Sequence, residues 1–308
     1  MSATPELAIH AAEPVSRRRT GRVALLSVAA GVLLAVLWSF EFVDHTIGDT
    51  VANALLGRDA KATAIGGALA GLVFAFVSGL AGTFTACNVA VMASIGPMGH
   101  AGSGARRLVH AALRPIGWLA LGMVSVSAVY GFAGVLIGDA LPQLSTATAA
   151  GMPVRLLQSV IVFGVIGLAF AYLGLASLGF VPDPFATRPT ARVITLGALV
   201  GGFLIGRPYP LFNELFHWAA DRGNPLYGAA AFVLQSLGNI VVVSALFLLL
   251  MLGTRGRFLT WLGSDRQRTL VISGAMLLAL GVFEVVYWDV RVPALFGHGW
   301  FPTMPYNE

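Results

Sequence analysis

Residues 201–216 read GGFLIGRPYPLFNELF, a glycine-rich apolar run that meets one arginine and then two prolines two apart. Each proline removes a backbone N–H and disfavours helix at the residue before it. Pro208 and Pro210 therefore predict a kink or a split at Arg207 and Tyr209. The flanking residues, from about 193 to 220, are apolar enough to lie in a bilayer. Carbonyl groups freed by a break at that depth must be buried in protein or face a water-filled cavity. The break thus belongs in a protein interior. An arginine beside it costs several kcal/mol, on the order of the insertion scales, unless it faces a cavity or a partner. That makes Arg207 a candidate site residue, with Glu214 seven residues on as a possible ion-pair partner if helix persists between them. The competing reading starts the span nearer Pro210 and leaves Arg207 reaching back to the cytoplasmic interface.

The rest of the chain fits a membrane setting. Its 308 residues are 57% hydrophobic and 11% charged, with a mean hydropathy of +0.81. Seven apolar segments, at about 23–43, 63–95, 115–139, 154–181, 193–220, 226–252 and 269–289, are each long enough to cross a bilayer. The fold class expected is an all-α polytopic membrane protein with seven transmembrane helices. The net charge is +5, but the basic residues fall in short loops rather than on one surface, and no RNA or DNA signature is present. The expected partner is the lipid bilayer, not nucleic acid.

Charge also orients the chain. With the N-terminus cytoplasmic, the inner segments carry Arg17, Arg18, Arg19, Arg22, Arg106, Arg107, Arg114, Arg188, Arg192, Arg255, Arg257, Arg266 and Arg268, 13 of the 19 Lys and Arg. The bias supports N-in, C-out and an odd number of spans. Residues 1–22 read as a cytoplasmic basic tail, 23–62 as an added anchor helix and outer loop, 63–289 as a six-helix domain, and 290–308 as an outer tail. The first apolar run has no small-residue cleavage site, so it reads as an uncleaved anchor.

A second irregular stretch lies at 82–97, GTFTACNVAVMASIGP, in a segment of about 33 residues, longer than one crossing needs. It holds the only cysteine, Cys87, beside Thr85 and Asn88, and ends on Gly96-Pro97. The irregular spans, second and fifth, each head a triplet: spans 2–4 and spans 5–7. The triplets would cross in opposite senses, as inverted repeats with broken first helices, and breaks at corresponding positions point to a site near the midplane. Small-xxx-small spacing at Gly67/Gly71, Gly134/Gly138, Gly197/Gly201 and Gly202/Gly206 favours close helix packing.

Among residues able to carry chemistry, a free cysteine in apolar surroundings is ordinarily a small core residue. Reactivity needs thiolate and access; the neighbours Thr85 and Asn88, and a break that could admit water, weaken the case for an inert Cys87. Glu41, Glu284 and Asp289 read as interfacial, near the outer ends of spans 1 and 7. Gln158, Gln235 and Asn239 read as interhelical hydrogen-bond partners. No spacing links His45, His217 and His298 into a metal site. No cofactor is expected, and no complete catalytic constellation is present.

These residues together carry a resemblance. The chain from about 63 to 289 resembles the CcdA/DsbD transmembrane family, which passes reducing equivalents across the bacterial inner membrane to periplasmic thioredoxin-like proteins, including those serving cytochrome c maturation. The family has six spans in two inverted triplets and a cysteine beside a proline in the first span of each. GLAGTFTACNVAVMASIGP (79–97) matches the first of those spans, with Cys87 at the cysteine position and Ala86 where proline is usual. GLAFAYLGLASLGF and GNPLYGAAAFVLQSLGNIVVV are similar to its third and fifth spans. In the second repeat, Pro208-Tyr209-Pro210 puts Tyr209 where a second cysteine is expected, so a two-cysteine relay is not possible within this chain. Two functions follow. The resemblance implies an inner-membrane accessory in thiol-disulfide redox or cytochrome c maturation, with Cys87 exchanging disulfides with a thioredoxin-like protein. The alternative is a redox-inactive relative that transports a small solute or ion, or serves other membrane subunits, with Asn88, Thr85, Arg207, Pro208, Tyr209, Pro210 and Glu214 around the former relay site.

Overall fold

The computed structural model describes residues 17–39, 41–62, 65–82, 105–254, 257, 261, 264–302 and 304–307. Helix α1 (Arg17–Leu37) leads into a π-helical stretch, Glu41–Gly48, and a short helix α2 (Asp49–Leu56). Next come α3 (Ala68–Ala81) and α4 (Ala105–Ile137). A two-strand hairpin follows, β1 (Thr148–Ala149) paired antiparallel with β2 (Met152–Pro153), turning through Ala150 and Gly151 at positive φ. The second half of the chain holds α5 (Val154–Ser177), α6 (Pro189–Gly206), α7 (Pro210–Asp221) and α8 (Pro225–Gly253). Last comes α9 (Arg266–Val285), extended by a π-helical turn, Val286–Arg291, into α10 (Val292–Leu295).

Six of these helical segments are long and apolar enough to cross a membrane, and α3 is a shorter apolar helix. Large apolar side chains point outward along them: Leu69 is 76% exposed, Leu25 71% and Val129 70%. A surface so apolar suits lipid rather than water. The protein is a multi-pass, essentially all-helical membrane protein.

Several boundaries differ from the sequence expectation. The first apolar helix ends at Leu37 instead of 43, and the expected outer loop holds helix instead. The third helix starts at Ala105, with Pro115 inside it. The good helix formers of ARRLVHAALR carry it through the one backbone bond that the proline forfeits. The seventh runs on to Leu295 through its π turn. The fifth breaks where its prolines require, between Gly206 and Pro210. Of the second span, α3 is described; Thr85, Cys87 and Asn88 lie outside the described residues.

In space the helices pack as α1 on α9, α9 on α5, α5 on α6, α6 on α4, α4 on α8, and α8 on α3, with α7 against α3, α4 and α8. Glycine sets most of these approaches. A methyl at Gly79 would overlap the Gln235 carbonyl oxygen, and one at Gly238 the Phe76 carbonyl, so α3 and α8 cross backbone to backbone. Gly122 and Gly197 meet Ile194 and Leu119 in the same way where α4 crosses α6. Both members of the Gly197/Gly201 and Gly202/Gly206 pairs serve, one pair facing α4 and the other α5. In the other two pairs only Gly71 and Gly134 do, each admitting an aromatic ring, Trp218 and Phe216, whereas Gly67 and Gly138 lie beyond the helices at positive φ. Spacing alone does not show where a helix stops.

Candidate functional site

The break after α6 is built from residues 207–209. Arg207 (φ −81°, ψ 114°) and Tyr209 (φ −79°, ψ 127°) are extended. In an unbroken helix the carbonyls of Leu204 and Gly206 would accept from residues 208 and 210, both prolines without an N–H. Side chains from elsewhere serve the neighbouring carbonyls of the break. Gln158 Nε2 donates to the Ile205 carbonyl at 2.8 Å, and Gln143 Nε2 donates to the Arg207 carbonyl at 3.2 Å and to Asn213 Oδ1 at 2.8 Å. The Tyr209 carbonyl then accepts from the N–H groups of Phe212 and Asn213 and starts α7. Pro210 occupies the first turn of α7, where its missing donor costs nothing.

Arg207 turns back into the bundle. Its Nη1 donates to the Gly82 carbonyl at 2.8 Å, at the C-terminal end of α3, and its guanidinium lies 4.9 Å from the Tyr209 ring centre and 5.5 Å from that of Phe212. The alternative of reaching back to the cytoplasmic interface is not what the side chain does. Glu214 sits on the exposed face of α7. The shared-face argument for an Arg207–Glu214 pair fails because residues 207–209 are not helical.

Beside Arg207 is a cavity of about 50 Å³ whose polar lining is Arg207, Gln235, Ser236 and Asn239, with Gly79 and Gly82 on its wall. A water needs roughly 10–15 Å³ on this measure, so the cavity holds a few waters or a small solute. It lies at mid-depth. Gln235 and Ser236 are close to the middle of the apolar segment Pro225–Leu249, and Met123, also on the wall, to the middle of Leu113–Ile137. Ser236 Oγ is 2.5 Å from Ser127 Oγ where α4 and α8 cross. Gln235 is 2% exposed, and neither atom of its amide has a hydrogen-bond partner among the described residues. Gln158 is the interhelical partner the sequence suggests; Gln235 instead presents an unspent amide to the cavity wall.

Tyr209 is fully buried, edge-on to Phe212 with ring centres 5.1 Å apart. A methyl at Gly48 would come within 2.5 Å of its hydroxyl oxygen, so the segment between α1 and α3 packs onto Tyr209. Glu284 corrects the sequence reading most. It is 3% exposed, not interfacial, because the helix continues to Leu295, roughly 16 Å of rise beyond it. The sequence does not mark Gln143 or Ser236 as site residues, and it reads Glu284 as interfacial. Ser236 had a signal, since QSLGN interrupts an apolar span; Gln143, in the connection between α4 and β1, had none.

No family model, curated protein or solved structure matches the chain.

Proposed function

We propose that this protein sits in a bacterial-type inner membrane, N-terminus inside, as one added helix plus two inverted three-helix units, and passes a small polar solute through the mid-depth cavity. The observation that carries the reading is the cavity itself. A cation held between two helix ends, an unspent amide and a serine converge halfway across the bundle. Intramembrane charge and broken helices at such a place are the general marks of a solute site. Exchanging α3 with the α6–α7 pair, α4 with α8, and α5 with α9 converts the α3–α8 crossing into the α6–α4 crossing, which supports the inverted-repeat reading. The pairing of a guanidinium with a primary amide suits a small carboxylate best.

Thermal unfolding of the full chain in detergent tests this, with acetate, glycine and urea as probes. Acetate or glycine should raise the midpoint in a concentration-dependent way, as ligands of the folded state do. The gain should vanish in Gln235→Leu. No shift with any of the three, or a shift that survives Gln235→Leu, removes the solute-site reading.

A second reading rests on where Gly82 sits. Its carbonyl is on Arg207, and Cys87 follows five residues on in the sequence. Under this reading Cys87 exchanges a disulfide with a periplasmic thioredoxin-like protein, with Tyr209 as packing where a relay would need a second thiol. Trapping a mixed disulfide that is absent from Cys87→Ser supports it; no trapped disulfide in the wild type, with the thioredoxin-like protein equally reduced beside either chain, excludes it.

A further inference from the structure

Glu284 is a carboxyl in the interior of an apolar bundle, and an unpaired charge there is costly, so such a group either carries a proton or finds a cation. The surroundings offer both. The Trp288 indole one turn on is its hydrogen-bond partner, and Arg207, across α6, is near enough to act on it through space. α5 clears room along one line for two carboxyls. A methyl at Gly167 would lie 2.9 Å from Glu284 Cβ, and one at Gly164 2.5 Å from Asp289 Oδ1. Asp289 itself is exposed. Gly164 and Gly167 are about one turn apart on α5, so the two carboxyl-bearing residues seat on one face of it, Asp289 at the surface and Glu284 inside.

The other charged groups around these two carboxyls are accounted for. On α9 and its extension, Arg291 is committed to the carbonyls of Ala35 and Trp38. α5 carries only Arg155, in its first turn, and α1 has no charged residue after Arg22. On α6, Arg192 is at the far end, paired with Asp183. Asp289 and Arg207 are thus the charged groups that face Glu284 among the described residues.

We propose that Glu284 is a proton-binding site inside the bundle, loaded from the outer aqueous phase past Asp289, whose occupancy sets the charge opposite Arg207. The step is a proton exchange alone: a proton leaves outer water for the Asp289 carboxylate, passes to the Glu284 carboxylate, and returns by the same route. Its link to solute movement rests on the cavity reading above; the loading itself does not.

The test is infrared difference spectroscopy of the full chain in lipid nanodiscs after a jump in pH. The wild type should show a protonated-carboxyl band that changes with pH, lost in Glu284→Gln and moved in Glu284→Asp, which keeps an acid at the position. Asp289→Asn should keep the band but slow its response several-fold, with recovery in Asp289→Glu. A band unchanged in Glu284→Gln overturns the site, and an unslowed response in Asp289→Asn overturns the route. Because no solute is present, a failure of solute binding leaves this result unaffected, and the two proposals fail separately.

Discussion

Arg207 and Gly82 are 125 residues apart in the chain and are joined by a 2.8 Å hydrogen bond from Nη1 to the carbonyl oxygen. The bond ties together the points at which two helices stop: α3 ends at Ala81, and α6 ends at Gly206. The last carbonyls of a helix carry partial negative charge, so a guanidinium at two such ends is favourably placed even at membrane depth. Arg207 is therefore part of how the bundle closes as well as part of the cavity wall.

Replacing Arg207 by Met should destabilise the protein by about 2 kcal/mol, the usual worth of a hydrogen bond from a charged group. Unfolding of the detergent-solubilised chain in sodium dodecyl sulfate measures this. Arg207→Lys should recover only part of the loss, because a point charge on a flexible stem cannot both reach Gly82 and lie over the rings of Tyr209 and Phe212. A methionine variant as stable as the wild type would mean that the contact contributes nothing net.

The crossing of α3 and α8 has no slack at Gly79, where even a methyl meets the backbone of Gln235. Gly79→Ala should force the helices apart and cost on the order of 1–3 kcal/mol, the range for overpacking a tight interface. Gly117→Ala, on α4 with nothing within 4 Å, is the matched control and should be neutral or slightly stabilising. Equal stability of the two variants would show that α3 and α8 do not approach so closely.

How much of this was legible in the sequence depends on the kind of signal. The split at Arg207–Tyr209 was readable because proline acts locally, whatever surrounds it. The apolar spans were readable because length and composition are enough for a bilayer. Partners were not. Nothing in the sequence shows that Gln143 would hold the Arg207 carbonyl or that Gln235 would be left without a partner, since both depend on which helices come together. Glu284 turns on a boundary: a π-helical turn and a late proline let the last helix run past the expected end, so a residue expected at the interface lies in the interior. The Arg207–Glu214 pair failed in the opposite way, by assuming helix where the same prolines forbid it.

Arg291 fastens the first helix to the last. It is 5% exposed, its Nη1 donates to the carbonyls of Ala35 and Trp38 at 2.7 Å each, and its guanidinium lies 5.0 Å from the Tyr287 ring centre. The sequence places α1 as an added anchor, and this cation at its C-terminal end is what couples it to the rest beyond helix packing. Arg291→Ala leaves those carbonyls without their donor and should cost about 3 kcal/mol. It should also open the connection after Leu37 to protease while the remaining helices stay protected. The Tyr306 hydroxyl, which donates to the Leu37 carbonyl at 2.9 Å from an exposed position, gives the contrast. Tyr306→Phe should cost about 0.5 kcal/mol, the low end for a neutral hydrogen bond. Cleavage patterns that do not distinguish Arg291→Ala from the wild type would show that α1 is held by packing against α9 alone, with Gly31 seated on the Ala279 carbonyl.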